Sequence, residues 1–249
     1  MKIGLIADIH GNSFALRQVL DELADHECEL IACLGDIAVL GPDPEGATRL
    51  VRECADFVVL GNVDRWLVNR LDDSELRESE TPELRELAAW SLDQLTAGDL
   101  AWFDAMPMTQ MFAVSNDRHL LVFHGSPASN DHVISAATPE SVLIELLPIP
   151  GPAIACGGHT HVQLERVAGF TTFVNPGSVG LPGIGPGTHD LVVNANVNWA
   201  EYAVLSVVET GETDVDFRRT RLDVESMIEW SRRFGMPAQA WWESKWVRD

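Results

Sequence analysis

An α/β fold carrying two sheets is what this sequence predicts, and three observations predict it. The first sixty residues alternate short apolar runs with amphipathic stretches, the pattern of a strand-helix-strand-helix-strand series that builds a parallel sheet. Beyond Gly169 the pattern becomes mostly strand-like, which supplies a second sheet packed against the first. Short clusters of Gly, Asp, Asn and His stand at or just past the ends of the predicted strands, where open parallel sheets form their sites. A chain of 249 residues suits one domain of generous size, and with no internal repeat, low-complexity segment or linker we read residues 1–249 as a single domain.

The elements follow in order. Ile3 to Ala7, Leu30 to Leu34 and Phe57 to Leu60 are apolar runs of strand length. Between them Phe14, Leu16, Val19, Leu20 and Leu23 recur at helical spacing, as do Ala47, Leu50, Val51 and Cys54. Residues 65 to 105 read as helical, with Thr81-Pro82-Glu83 opening a helix whose buried face carries Leu84, Leu87, Ala88, Ser91 and Leu95. Residues 109 to 123 form two strands about a turn at Asn116-Asp117, Thr138-Pro139-Glu140 opens another helix, and Ala153 to Cys156 returns to a strand. Strands follow at Thr171 to Val174, Leu191 to Asn194, Tyr202 to Val208 and Val215 to Arg218. Residues 176 to 189 are too rich in Gly and Pro for regular structure and read as a long loop. After a helix from Val224 to Phe234 come Trp241, Trp242 and Trp246, which would be costly in solvent. They are expected to dock on the domain or at an interface between copies of the chain, which leaves a homo-oligomer open.

Composition narrows the function. Apolar residues make up 46% against 22% charged, an ordinary globular ratio with enough apolar material for a sizeable core. Asp plus Glu number 38 and Lys plus Arg 17, and the net charge of -21 repels long DNA or RNA, whose non-specific binding depends on neutralising phosphates with cations. Cys28, Cys33, Cys54 and Cys156 show no C-x-x-C spacing and suit a reducing cytoplasm. No uncharged apolar run approaches the ~18 residues of a membrane span, and the first eight residues read as a strand rather than a signal peptide. A cytoplasmic protein without membrane contact is the expectation.

Five motifs carry the chemistry: Asp8-Ile9-His10-Gly11-Asn12, Gly35-Asp36, Gly61-Asn62-Val63-Asp64, His124-Gly125 and Gly158-His159-Thr160-His161. Brought together at one sheet edge, their carboxylates, imidazoles and one amide carbonyl suffice for two divalent metal ions. Oxygen and imidazole donors without thiolate suit Mn, Fe, Co, Ni or Zn. Asp36 could bridge two ions, and alternate residues such as His159 and His161 point to opposite sides of an extended chain, so each could serve a different metal.

In this order the motifs resemble the calcineurin-like metallophosphoesterase superfamily, and its small bacterial and archaeal phosphodiesterase branch in particular. The stretches Leu34 to Pro44 and Asn175 to Pro182 are also similar to that branch. The resemblance implies a four-layer sandwich of two mixed β-sheets flanked by helices, with ligand loops at the carboxyl ends of strands. It implies one metal held by Asp8, His10, Asp36 and His161, a second held by Asp36, Asn62, His124 and His159, and hydrolysis by a hydroxide bridging the two. Asp36, Asn62 and His124 would then be the catalytic residues, manganese the first expectation for the metal, and phosphodiesters or activated phosphate esters of small molecules the substrates. Alternatives within the family are a dinucleoside polyphosphate hydrolase and a phosphomonoesterase or protein phosphatase. A non-catalytic binding module is disfavoured because every ligand type is present.

Two departures bear on mechanism. Many family members carry a proton-donating His where this chain has Val63, and such a general acid typically contributes about 100- to 10,000-fold for a poor leaving group. The protein-phosphatase pattern Gly-Asp-x-x-Asp-Arg-Gly is absent after Asp36. Arg65, just past the third motif, is a candidate to meet a substrate phosphate, though a surface ion pair explains it equally well. His132 and His189, in loops after motifs, are further candidates for substrate contact, whereas Asp43 and Asp64 read as turn or helix caps.

Overall fold

A computed structural model describes residues 1–71, 82–114, 118–148, 153–183, 197–208 and 212–247. The chain opens as predicted, with β1 (Lys2–Ile6), α1 (Ser13–Asp25), β2 (Leu30–Cys33), α2 (Pro44–Cys54) and a two-residue β3 (Phe57–Val58). Three helices follow, α3 (Asn62–Val68), α4 (Pro82–Gln94) and α5 (Ala97–Asp104). Then come β4 (Thr109–Ala113), β5 (His119–Phe123), α6 (Glu140–Leu146), β6 (Ala153–Cys156), β7 (Gln163–Ala168) and β8 (Thr171–Pro176). The chain closes with β9 (Trp199–Val207), β10 (Thr213–Arg221), α7 (Val224–Ser231), a 3-10 turn at Arg232–Phe234 and α8 (Gln239–Glu243). The expected turn at Asn116-Asp117 and strand at Leu191 to Asn194 lie outside the described residues.

Two five-stranded mixed sheets result, ordered β10-β9-β1-β2-β3 and β4-β5-β6-β8-β7. In the first, β1, β2 and β3 run parallel, while β9 pairs antiparallel with β1 on one side and with β10 on the other. In the second, β5, β6 and β8 are parallel and the edges β4 and β7 antiparallel. This corrects the grouping by sequence: the strands after Gly169 are not one sheet, because β9 and β10 return to the first, β9 beside β1 and β10 at the edge. β9 is buried along most of its length, as a strand with neighbours on both sides should be. β7 is a further difference, since its polar Glu165 and Arg166 belong to an edge strand and mask the apolar signal.

Alternation along the strands builds the layers. Ile3 and Leu5 of β1 point between the sheets and meet Leu120, Val122, Ile154 and Val174 of the second. Ile6 points the other way, onto a larger cluster with Leu16, Val19, Val51, Leu87 and Met227 of the helices. Gly4 shares that face, and a Cβ there would lie 2.8 Å from Leu23 Cδ2, so glycine lets α1 sit close against the strand. On the outer face of the second sheet Phe123, Ala155 and Phe173 pack with Leu143 of α6. Helices, sheet, sheet and helix therefore make the four layers. Trp242 and Trp246 are buried in the helix-side cluster with ring centroids 5.5 Å apart, so these tryptophans dock on the chain's own core. Among the described residues no helix is long and apolar enough to cross a membrane.

Candidate metal centre

The parallel strands of both sheets end on one edge, and the loops leaving β1, β2, β3, β5 and β6 carry the five motifs to it. Asp8 and His10 follow β1, Asp36 follows β2, Asn62 begins α3, His124 follows β5, and His159 and His161 follow β6. The chain bends sharply here. Asp8, His10, Asp36, His159 and His161 all adopt positive φ, between 48° and 71°, a region that side chains other than glycine seldom enter. Half of the ten such non-glycine residues among those described are thus candidate ligands, the clustering expected where a site holds strained backbone in place. Backbone hydrogen bonds keep it there: Asp8 N–H donates to Gly35 O at 3.0 Å, His10 N–H to Asp36 O at 2.9 Å and Gly11 N–H to Ile37 O at 2.8 Å. Gly61 permits a close approach to a candidate ligand, because a Cβ there would stand 2.0 Å from Asp36 Oδ1.

Two groups of three buried side chains emerge, Asp8 with His10 and His161, and Asp36 with His124 and His159; in each, the ligand atoms lie within 4.8 Å of one another. The groups touch. His124 Nε2 is 3.3 Å from Asp36 Oδ2 and 3.9 Å from Asp8 Oδ1, and His10 Nε2 is 3.9 Å from Asp36 Oδ2. Asn62 Oδ1 sits 3.0 Å from His124 Nε2 and 2.9 Å from His159 Nδ1. All seven side chains named from the sequence therefore converge. His159 and His161 do face different groups, but not as alternate residues of an extended strand: both sit in left-handed turns.

The imidazoles are oriented for ligation. Nδ1 of His10, His124 and His161 lies 3.0, 2.7 and 2.8 Å from the carbonyls of Val39, Leu34 and Leu181. A carbonyl only accepts, so each Nδ1 carries the proton and each Nε2 faces the centre. His10 Nε2 and His161 Nε2 stand 3.0 Å apart, and with both Nδ1 atoms committed as donors, only a cation or a proton between them satisfies the pair. This buried oxygen and nitrogen donor set fits divalent metal ions of the Mn to Zn series.

Electrostatics agree. Burial, and then the charge on His161, hold His10 down to about 4; burial and the charge on His124 do the same to His159. Burial also opposes charge on His124, but the Asp36 carboxylate outweighs it and raises that imidazole to about 10. His161 is raised likewise, against burial, by Asp8. Asp36 stays well below the usual carboxylate range despite burial, because His124 faces it. In each group, then, one imidazole is pushed toward its neutral form and the other toward its charged form by a neighbouring carboxylate, and a divalent ion can take the place of that positive charge.

Supporting residues explain a stretch that the sequence reading left without a role. Ser178 Oγ donates to Asp8 O at 2.7 Å and accepts from Leu181 N–H at 2.9 Å, while Gly180 N–H also donates to Asp8 O at 3.0 Å. Asn175 Nδ2 donates to Gly158 O at 2.6 Å and to Thr160 Oγ1 at 3.1 Å. The loop from Asn175 to Leu181 therefore fastens both Asp8 and the His159–His161 turn. Asn130 plays a similar part, donating from Nδ2 to Leu60 O at 2.8 Å behind Asn62. Asp64 caps the start of α3, accepting from Gly61 N–H at 3.3 Å, and also holds Ile37 N–H at 2.9 Å just past Asp36. Burial, then the charge on Asp36, raise its carboxyl to about 7. Asp43 accepts from Gly46 N–H at the start of α2.

The candidate substrate contacts fare differently. Arg65 Nη2 pairs with Asp131 Oδ2 at 2.8 Å, joining α3 to the loop after β5. His132 is exposed in that loop, its Nδ1 2.8 Å from Ser126 Oγ. His189 lies outside the described residues. Val63 is buried, and its N–H donates to Asp36 Oδ1 at 3.0 Å.

Comparison with known proteins agrees with this geometry. Residues 1–196 match the model of the calcineurin-like phosphoesterase superfamily domain. A metallophosphoesterase from Sphaerobacter thermophilus superposes with a TM-score of 0.71 at 25% identity, over 98% of this chain and 99% of that one. A hypothetical protein from Pyrococcus horikoshii OT3 shares the fold with a TM-score of 0.76 at 19% identity, over 96% and 95% of the two chains. An uncharacterized protein of Methanocaldococcus jannaschii is 39% identical over 68 residues, which span 27% of this chain and 28% of that protein. The chain belongs to the calcineurin-like phosphoesterase superfamily and is a metal-dependent hydrolase of phosphoric esters.

Proposed function

We propose that the enzyme hydrolyses phosphodiesters or activated phosphate esters of small molecules with two divalent ions. Asp8, His10, Asp36 and His161 would hold one ion and Asp36, Asn62, His124 and His159 the other, with manganese the first candidate among the Mn to Zn series that such donors suit. The observation that carries this reading is the contact between the two buried three-residue groups, with Asp36 Oδ2 within 3.9 Å of a histidine from each. Bound there, the ions supply Lewis acidity that neutralises phosphoryl charge and acidifies the attacking water. The chain supplies the rest. His10 and His159 are neutral at physiological pH and ready to ligate, the Nδ1–H bonds to carbonyls aim three rings without cost at the moment of reaction, and Asn62 presents its amide oxygen between two imidazoles.

Val63 argues for the substrate class. With no imidazole at that position, protonation of a poor leaving group loses its usual donor, so esters of acidic alcohols and phenols are favoured over alkyl monoesters. The test is a screen of mono-, di- and cyclic phosphoesters after chelation and reconstitution. Mn, Co or Ni should restore turnover better than Mg, which prefers oxygen and water, with aryl and diester substrates ahead of alkyl monoesters. Full rescue by Mg alone, or preference for alkyl monoesters, contradicts the reading.

A further inference from the structure

Beside the metal centre a cavity of about 230 Å³ opens at the mouth between the two sheets. His161 forms the wall it shares with the centre, and Val162, Val197, Trp199, Glu201 and Arg219 line it with Gln163. The register places it there: β9 runs antiparallel to β1, so Trp199 and Glu201 continue past Leu5 toward the edge where Asp8 lies, and Arg219 of β10 stands opposite Glu201. Gln163 ties the two sheets together beneath it, donating from Nε2 to Tyr202 O at 3.1 Å and Arg218 O at 2.9 Å.

The cavity is built rather than incidental. Glu201, nearly buried, accepts from Trp199 Nε1–H at 3.2 Å and from Arg219 Nε–H at 3.1 Å through the same oxygen, Oε1. Arg219 is held with its guanidinium 4.8 Å from the centroid of the Trp199 ring. One carboxylate thus holds both the indole and the guanidinium lying over it, so this part of the wall is positioned before any ligand arrives, and pre-set aromatic walls recognise planar rings. We propose that this cavity is the subsite for a neutral aromatic ring, such as a nucleobase, in the organic part of the phosphoester whose phosphate sits at the metal centre.

Size and charge select that class. Pockets for drug-sized ligands run to about 300–1,000 Å³, so this smaller space admits one ring system and not a whole second nucleotide. Among the described lining residues Arg219 is the one Lys or Arg, and Glu201 already neutralises it, so a further phosphate finds no unmatched positive charge. An uncharged ring with an apolar face suits Val162, Val197 and the indole.

The inference rests on the phosphoesterase reading above, and the experiment separates the two. Manganese-loaded full-length enzyme is assayed on bis(p-nitrophenyl) phosphate with methyl phosphate, phenyl phosphate and adenosine monophosphate as competitors. At least one aromatic competitor should inhibit about ten- to hundredfold more tightly than methyl phosphate, the advantage that stacking on an aromatic side chain gives. Trp199→Ala should erase most of that ratio, and Trp199→Phe, which keeps a ring, should retain it. In a second arm, saturation-transfer NMR with adenosine on metal-free protein should show ring-proton signals that Trp199→Ala abolishes, with matching thermal melts showing that both chains are folded. Wild-type ratios near one, or ratios and NMR signals unchanged in a folded Trp199→Ala, overturn the subsite. Absence of hydrolysis with every metal would instead overturn the phosphoesterase reading, while the adenosine arm still reports on the cavity.

Discussion

Ser178→Ala removes one oxygen that fastens two parts of the centre at once. Its hydroxyl is fully buried, donates to Asp8 O at 2.7 Å and accepts from Leu181 N–H at 2.9 Å. The Asp8 carbonyl keeps a second donor, Gly180 N–H at 3.0 Å, but the Leu181 N–H loses its acceptor. A buried donor left unpaired costs about 1–3 kcal/mol. In a chain of this size each kcal/mol moves the melting temperature by about 2–4 °C, so metal-free protein should melt about 2–12 °C lower. The effect should also reach the metals selectively. Leu181 O orients His161 through Nδ1 at 2.8 Å, and loss of such an orienting partner typically costs about 10- to 100-fold in metal affinity. Calorimetric titration with Mn should therefore show weakened binding at the group containing Asp8, His10 and His161, with the group containing Asp36 nearly unchanged. An unaltered melt together with an unaltered titration would refute the role assigned to the loop from Asn175 to Leu181.

Two further perturbations probe the same centre. Gly61→Ala would set a methyl 2.0 Å from Asp36 Oδ1 and 2.2 Å from Asp36 N, so it should displace the carboxylate and cut metal content and turnover together; normal content in inductively coupled plasma analysis would contradict the close approach. The pH dependence follows from His124, raised to about 10 against about 6.5 in an unfolded chain. Between those values the folded state binds the extra proton, so this contribution to metal-free stability is fully present below about 6.5 and lost as pH rises through about 10. His10 and His159, lowered to about 4, act in the opposite direction only below about 6.5 and do not mask it. The same proton must leave when metal binds, so Mn uptake near pH 7 should release protons, measurable by calorimetry in buffers of different ionisation heat. Uptake without release would count against the charge pattern.

What the sequence made legible was chemistry at strand ends. That Asp8, His10, Asp36, Asn62, His124, His159 and His161 meet at one place could be anticipated because their residue types stand together at strand ends, and the parallel strands that bring them together announce themselves as apolar runs. The sheet that receives β9 was not legible, since its antiparallel pairing with β1 joins residues about two hundred positions apart through backbone groups that carry no side-chain signature. β7 was hidden by its polar edge residues. The work of Asn175 and Ser178 was invisible for a related reason: their partners are Gly158 O and Asp8 O, and a carbonyl has no letter in the sequence. Even the placing of His159 and His161 in different groups arises from left-handed turns, which no local pattern around Thr160 indicated.

The most direct test of the two-ion centre is metal stoichiometry on protein stripped of metal and reloaded with manganese, in the wild type and in Asp36→Asn. Two ions per wild-type chain are predicted, with turnover appearing only as the second is bound. Asp36→Asn, a near-isosteric change that keeps Oδ1 as an acceptor for Val63 N–H but removes the charge lying between the two groups, should bind fewer than two and lose turnover. One ion per active wild-type chain, or two ions and near-normal turnover in Asp36→Asn, would contradict the account.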